Sequence, residues 1–200
     1  ASTSGRGMQV LVALGEGRVT ADVMTAIADA IFYFIEMKAL ADLRDLPGYK
    51  NISPDYVAKD GTWISHKLSF RCMAYNTDKV KKVDLPKTWD DLLKDPKWRN
   101  GNLALTNNPS TWLLGLWGDF GEKWGADFTR TLFEKLKPQR RKEGLTALTG
   151  LTVAGEFDAS LPSPEWVAMR YVVKGAPLGY HCPEPVPITV SQIAMLEKSS

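Results

Sequence analysis

Two histidines and two cysteines are all that a chain of 200 residues offers of the side chains most used in catalysis and metal binding. Cys72 and Cys182 lie 110 positions apart, with no neighbouring Cys or His at a spacing that suits zinc. They read as two unrelated thiols or, in an oxidising compartment, as a disulfide. There is no Gly-x-Ser-x-Gly elbow, no His-Glu-x-x-His, no Cys-x-x-Cys and no glycine-rich phosphate loop ahead of a helix, so no common enzyme class has its machinery here. The longest apolar run, around AIFYFI, is too short to span a bilayer. A formal net charge of +2 is too small to imply a nucleic-acid partner, and the basic residues of KPQRRKEG read as one solvated turn. No targeting pattern is visible, and the opening ASTSGRG reads as a chain entered midway.

What is present is ordinary globular material. At 44% hydrophobic and 24% charged, the chain can bury one good core or two small ones. Strands and helices alternate along it. VTADVM (19–24) predicts a strand, and Ile31, Phe34, Ile35 and Lys38 then fall at helical spacing. WISHKLSFRCMAYN (63–76) alternates apolar and polar positions and predicts a long, half-exposed strand. Thr88 is placed to cap the helix WDDLL, with Asp90 and Asp91 in its first turn and Pro96 as its stop. NLALT reads as a strand. After the turn Asn107-Asn108-Pro109, Ser110 or Thr111 predicts the start of a helix through TWLLGLWGDF. Two further amphipathic helices precede the strand GEFDASL, and Ser163-Pro164-Glu165 reads as a capped helix start whose helix ends near Gly175. PLGYHC, PVPITV and IAML close the chain as short extended pieces. The pattern argues for an α/β fold with mostly parallel strands and ligands at the carboxyl ends of those strands.

The order ADV, AYNTDKV, LPKTWDDLLKDPKWRNGNLAL, NPST, GEFDASL, KGAP and PEPVPITVSQIAML resembles the ferric-iron-type solute-binding proteins of ABC transporters, over roughly residues 15–198. The resemblance implies a type 2 periplasmic-binding clamshell of two α/β lobes. In that scheme strand 63–76 is a crossover from the first lobe to the second, and PVPITV carries the chain back. Residues 1–70 and 186–200 would form the first lobe and 71–185 the second. Measured against the family, the first lobe is incomplete and the last helices are missing, so the chain is expected to be a fragment with exposed apolar surface. The implied role is a periplasmic one: capture of a small polar or anionic ligand between lobes and its delivery to a membrane permease, by a protein that is not an enzyme, needs no cofactor and does not itself span the membrane. A ligand sensor, or a transferase using Cys72 or His181 on the same fold, is the alternative.

Candidate ligand-binding residues follow from the strand ends. Asn108, Ser110 and Thr111 sit at a helix start whose free N–H groups suit an anion, while plain N-capping explains them as well. Thr25, with Ala26, lies just past the ADV strand. Arg71 and His66 are on the crossover strand, where alternation leaves bulk solvent equally open to them. In iron-binding members the stretch matching LPSPEW carries adjacent tyrosines that ligate ferric ion. Here it carries none, so iron bound through a tyrosine pair is not expected, and Trp166 is instead a candidate for stacking on a planar or sugar-like ligand.

Overall fold

The computed structural model describes residues 9–10, 12–18 and 21–197, with the side chains of residues 27–30 left aside. It divides into two compact units, Ala1–Leu68 with Val190–Ser200, and Ser69–Thr189. The chain crosses between them within two strands, β2 (Ile64–Asn76) and β7 (Ile188–Met195).

The first unit is built on β1 (Val23–Ile27) and α1 (Ala28–Glu36). The strand begins later than the stretch 19–24 suggests, because its ladder with β7 runs antiparallel from Val23 opposite Met195 to Ile27 opposite Ser191. Val19 and Thr20 lie outside the described residues. On α1, Ile31 and Phe34 fall three apart on one face and are buried against Ala26, Leu40, Ala194 and Leu196, while Phe32 and Tyr33 face solvent.

The second unit contains a twisted sheet covered on both faces. β5 (Ala159–Pro164) runs parallel to β3 (Leu103–Thr106), which runs parallel to β4 (Gln139–Arg141). On the other side of β5, β2 runs antiparallel, and β6 (Leu178–His181) pairs antiparallel with β2. Every residue of β3 is buried. Leu103 and Leu105 pack on one face with Trp89, Trp112 and Phe128, and Ala104 packs on the other with Leu148 and Phe157. The first face is covered by α2 (Trp89–Lys94), α3 (Ser110–Phe120) and α4 (Glu122–Thr131), the second by α5 (Leu145–Val153) and α6 (Glu165–Val172). Trp112 is the hub of the first face, edge-on to Trp89 at 5.3 Å and to Phe128 at 6.0 Å.

Local chemistry fixes the element ends. Thr88 Oγ1 accepts the Asp91 N–H at 3.2 Å and Asp91 Oδ2 accepts the Thr88 N–H at 3.1 Å, a reciprocal cap that starts α2. The hydrogen bonds from Thr88 hold the Asp91 carboxyl below its ordinary value. Asn76, the last residue of β2, donates to the carbonyls of Thr152 and Val153 and so closes the end of α5. Gly179 stands opposite Tyr75, and a Cβ there would lie 2.1 Å from the phenol ring, so only glycine admits the ring at this register.

Two sequence expectations are corrected. The basic stretch 137–144 is not one solvated turn: Gln139–Arg141 extends as the edge strand β4, and Arg141 pairs with Glu143 at 2.7 Å and Glu156 at 2.8 Å. Ser163 does not cap α6, because it is still in β5 with its hydroxyl 3.4 Å from that of Thr149. Of the two readings open to the cysteines, the disulfide is the one that forms and the unrelated thiols are set aside. Antiparallel pairing sets Met73 opposite His181 and so brings Cys72 beside Cys182, where they form a disulfide with Cα atoms 4.8 Å apart.

That bond closes a loop spanning most of the second unit. Replacing both cysteines by Ser is expected to lower the unfolding free energy by about 2–5 kcal/mol, read from urea titrations followed by tryptophan fluorescence. Equal midpoints for the two proteins would show that the β2–β6 pairing holds without it.

Candidate functional site

The parallel strands β4, β3 and β5 end at one edge of the second unit's sheet, and each feeds a helix: α5 after β4, α3 after β3 and α6 after β5. Helix N-termini carry unsatisfied N–H groups and a positive dipole end, and this is the edge where open α/β sheets bind ligands. Of the ligand-binding residues expected from the sequence, Asn108, Ser110, Thr111, Arg71 and Trp166 stand along this edge or on the strand beside it. Thr25 belongs to the other unit. It lies inside β1 opposite Ile193, not past a strand end, because the ladder continues to Ile27.

At the start of α3, Ser110 is the first helical residue and Pro109 occupies the capping position without a side-chain bond. The cap comes from one residue further back. Asn108 Oδ1 accepts the Ser110 hydroxyl at 2.6 Å and the Ser110 N–H at 3.3 Å. The Ser110 N–H is therefore taken, contrary to a free helix start, and the rest of the first turn, beginning at Thr111, points from the helix end. Thr106, which ends β3, is buried with a hydroxyl that has no hydrogen-bond partner among the described residues.

The β5 end is more strongly polar. Arg71 on β2 stands opposite Pro164, so antiparallel pairing places a cation beside the first turn of α6. Glu165, first in α6, is already occupied: its Oε2 accepts the Ser69 hydroxyl and the Phe70 N–H, each at 2.8 Å. Arg71 Nε donates to Thr189 Oγ1 at 3.3 Å, and among the described residues that is the guanidinium's one hydrogen bond; it has no ion pair. Burial pushes the Arg71 guanidinium down from its ordinary value, and Glu165 and Tyr180 pull it back up. Tyr180 is held neutral: burial pushes its phenol far up, and its hydroxyl lies 3.1 Å from the carbonyls of both Phe70 and Ser163.

Trp166 follows Glu165 and remains 38% exposed, with the Arg170 guanidinium 5.0 Å from its ring centroid. His66 is in the first unit, its Nδ1 3.1 Å from the Ser191 carbonyl oxygen. Ser69, Thr189 and Tyr180 carry no signal in the sequence. They meet Glu165, Arg71 and Ser163 only through strand pairing, across separations of 96, 118 and 17 residues. Among the described residues no group of three or more His, Cys, Asp or Glu side chains is placed to hold a metal ion.

What the arrangement can do is hold an anion. A half-buried guanidinium without a carboxylate partner, beside the first turn of α6, offers positive potential and a planar donor fork.

A family model described as bacterial extracellular solute-binding protein matches residues 4–160. Among solved structures, iron-bound HitA from Pseudomonas aeruginosa is similar at a TM-score of 0.80 and 21% identity, over 100% of this chain and 66% of that one. The ferric binding protein from Campylobacter jejuni matches at 0.80 and 18%, over 100% and 67%. AfuA from Actinobacillus pleuropneumoniae, with exogenous fructose-6-phosphate bound, matches at 0.78 and 20%, over 98% and 64%. The chain thus spans about two thirds of the length of these structures. A sequence comparison with curated proteins finds no match. The match over most of its length and the shared α/β architecture place this chain in the bacterial extracellular solute-binding protein family, with the type 2 periplasmic-binding fold of its ferric-iron-type members.

Proposed function

We propose that this chain captures a small anionic ligand at the carboxyl edge of the second unit's sheet, as the solute-binding component of an ABC transporter that passes the ligand to a membrane permease. The observation that carries the reading is Arg71: a half-buried guanidinium left without a carboxylate partner, while the neighbouring acid, Glu165, is satisfied by Ser69 and Phe70. A buried charge of this kind is stabilised when a ligand supplies the opposite charge. With Ser110 holding Asn108 in place, the Thr111 hydroxyl and backbone N–H and the Asn108 amide N–H group add donors, and Trp166 offers a ring to a planar or sugar-like body. The disulfide suits a periplasmic or extracellular setting. No helix among the described residues is long and apolar enough to cross a membrane.

The ligand classes in best agreement are phosphorylated compounds and small carboxylates. AfuA, similar in fold, was solved with fructose-6-phosphate, and an IdiA from Trichodesmium with iron and citrate. The stretch LPSPEW, where the resemblance implies a tyrosine pair, carries none, and the hydroxyl of Tyr180 is engaged with the backbone carbonyls of Phe70 and Ser163. Direct ligation of ferric ion by tyrosinate has no donors there.

Two outcomes are expected. In calorimetry against inorganic phosphate, fructose-6-phosphate and citrate, at least one binds, and Arg71→Met weakens it by about 10- to 100-fold, the worth of a charge-assisted hydrogen bond. Unchanged affinity in a folded variant would remove Arg71 from the site. Because LPSPEW lacks the tyrosine pair, adding ferric citrate to the chain is expected to give no visible tyrosinate-to-iron absorption band, and a strong band would contradict that reading.

A further inference from the structure

A second concave surface of the Ser69–Thr189 unit shares no residue with the edge just described. It is a cavity of about 580 Å³ between the start of α2, the end of α3 and the segment that follows Cys182. Its walls are fixed. Trp89 is fully buried, with its indole N–H donating to the Pro185 carbonyl at 2.9 Å. The Glu184 N–H donates to the Lys87 carbonyl at 2.9 Å, tying the 183–187 segment to the capped start of α2. Phe120 lines the cavity and is 38% exposed; Trp124 stacks on it at 4.1 Å and donates its indole N–H to Asp90 Oδ1 at 3.1 Å. A solvent-accessible ring is thereby held near two carboxylates, Asp90 and Glu184.

The charge of this surface is one-sided. Among the described residues no lysine or arginine lines it. The Glu184 carboxylate has no hydrogen bond or ion pair among the described residues, and the Asp90 carboxylate has only the indole of Trp124. An aromatic face and two anionic oxygen pairs together select a flat, delocalised cation, which can lie on the ring while its fork reaches the acids. Asp90, Phe120 and Glu184 are all exposed at the rim, so the cation enters from a facing surface and is not enclosed. We infer that this cavity is a docking pocket for an arginine side chain presented by a protein partner.

The test uses the 15N-labelled chain and the peptide acetyl-Gly-Arg-Gly-amide, followed through the indole N–H signals of Trp89 and Trp124. A saturable shift of both is expected. The neutral isostere with citrulline in place of arginine should bind at least about tenfold more weakly. The Asp90→Asn, Glu184→Gln double variant keeps the Trp124 acceptor and the side-chain shapes, and should lose the shift with its near-ultraviolet circular dichroism unchanged. Glu184→Gln alone, at an exposed position, gives a second variant whose folding is not at risk and should weaken binding in the same direction. Equal binding of the citrulline peptide, an undiminished shift in the variants, or no saturable shift would overturn the inference. Tighter binding of the free guanidine compound agmatine than of the peptide would overturn the protein partner in favour of a small-molecule site.

Discussion

The register of β2 is the constraint on which the second unit depends. Its residues from Cys72 to Asn76 are all buried, held between β5 on one side and β6 on the other. That single alignment sets Cys72 against Cys182, admits the Tyr75 ring over Gly179, ends the strand so that Asn76 closes α5, and delivers Arg71 to the first turn of α6. A slip of one residue would turn every one of these side chains to the opposite face. The covalent link and the glycine, which tolerates no Cβ, both oppose such a slip. On the proposed reading, structural and functional demands meet on one strand.

The charge distribution at the β5 end follows from the same pairing. Glu165 could have neutralised Arg71, but Ser69 and the Phe70 N–H approach its carboxylate first. A complete internal ion pair would leave the guanidinium little to offer an incoming anion, and an unassisted buried cation would cost several kcal/mol. The observed state lies between these: a cation helped by Thr189 at 3.3 Å and by the field of Glu165, yet with donors to spare. On the proposed reading such a group would bind an anion by completing its own solvation, so that affinity is drawn from a penalty already present in the free protein.

Much of the framework could be read from local pattern. The 63–76 strand, the Thr88 cap with its acidic first turn and the helix ahead of Gly175 are written in contiguous residues, and each forms within a residue or two of the expected place. The misreadings share a cause. Gln139–Arg141 is polar and basic, which suits a solvated turn, and it becomes a strand only because β3 offers a parallel edge and Glu143 and Glu156 neutralise Arg141. Ser163-Pro164-Glu165 has every mark of a helix start, but the pairing of β5 with β2 carries the strand through Pro164. The cysteines and the Arg71 surroundings depend on tertiary pairing across about a hundred residues, to which no local spacing is sensitive.

The central claim is that the Arg71 guanidinium is the group that meets the ligand. The most direct measurement is the NMR signal of its Nε–H, assigned by its disappearance in Arg71→Lys, during titration with inorganic phosphate, fructose-6-phosphate and citrate. The account predicts a saturable shift of that signal with at least one of these anions, at concentrations that leave the exposed Arg130 and Arg170 signals in place. An Arg71 signal that stays fixed while the chain binds an anion elsewhere would contradict it.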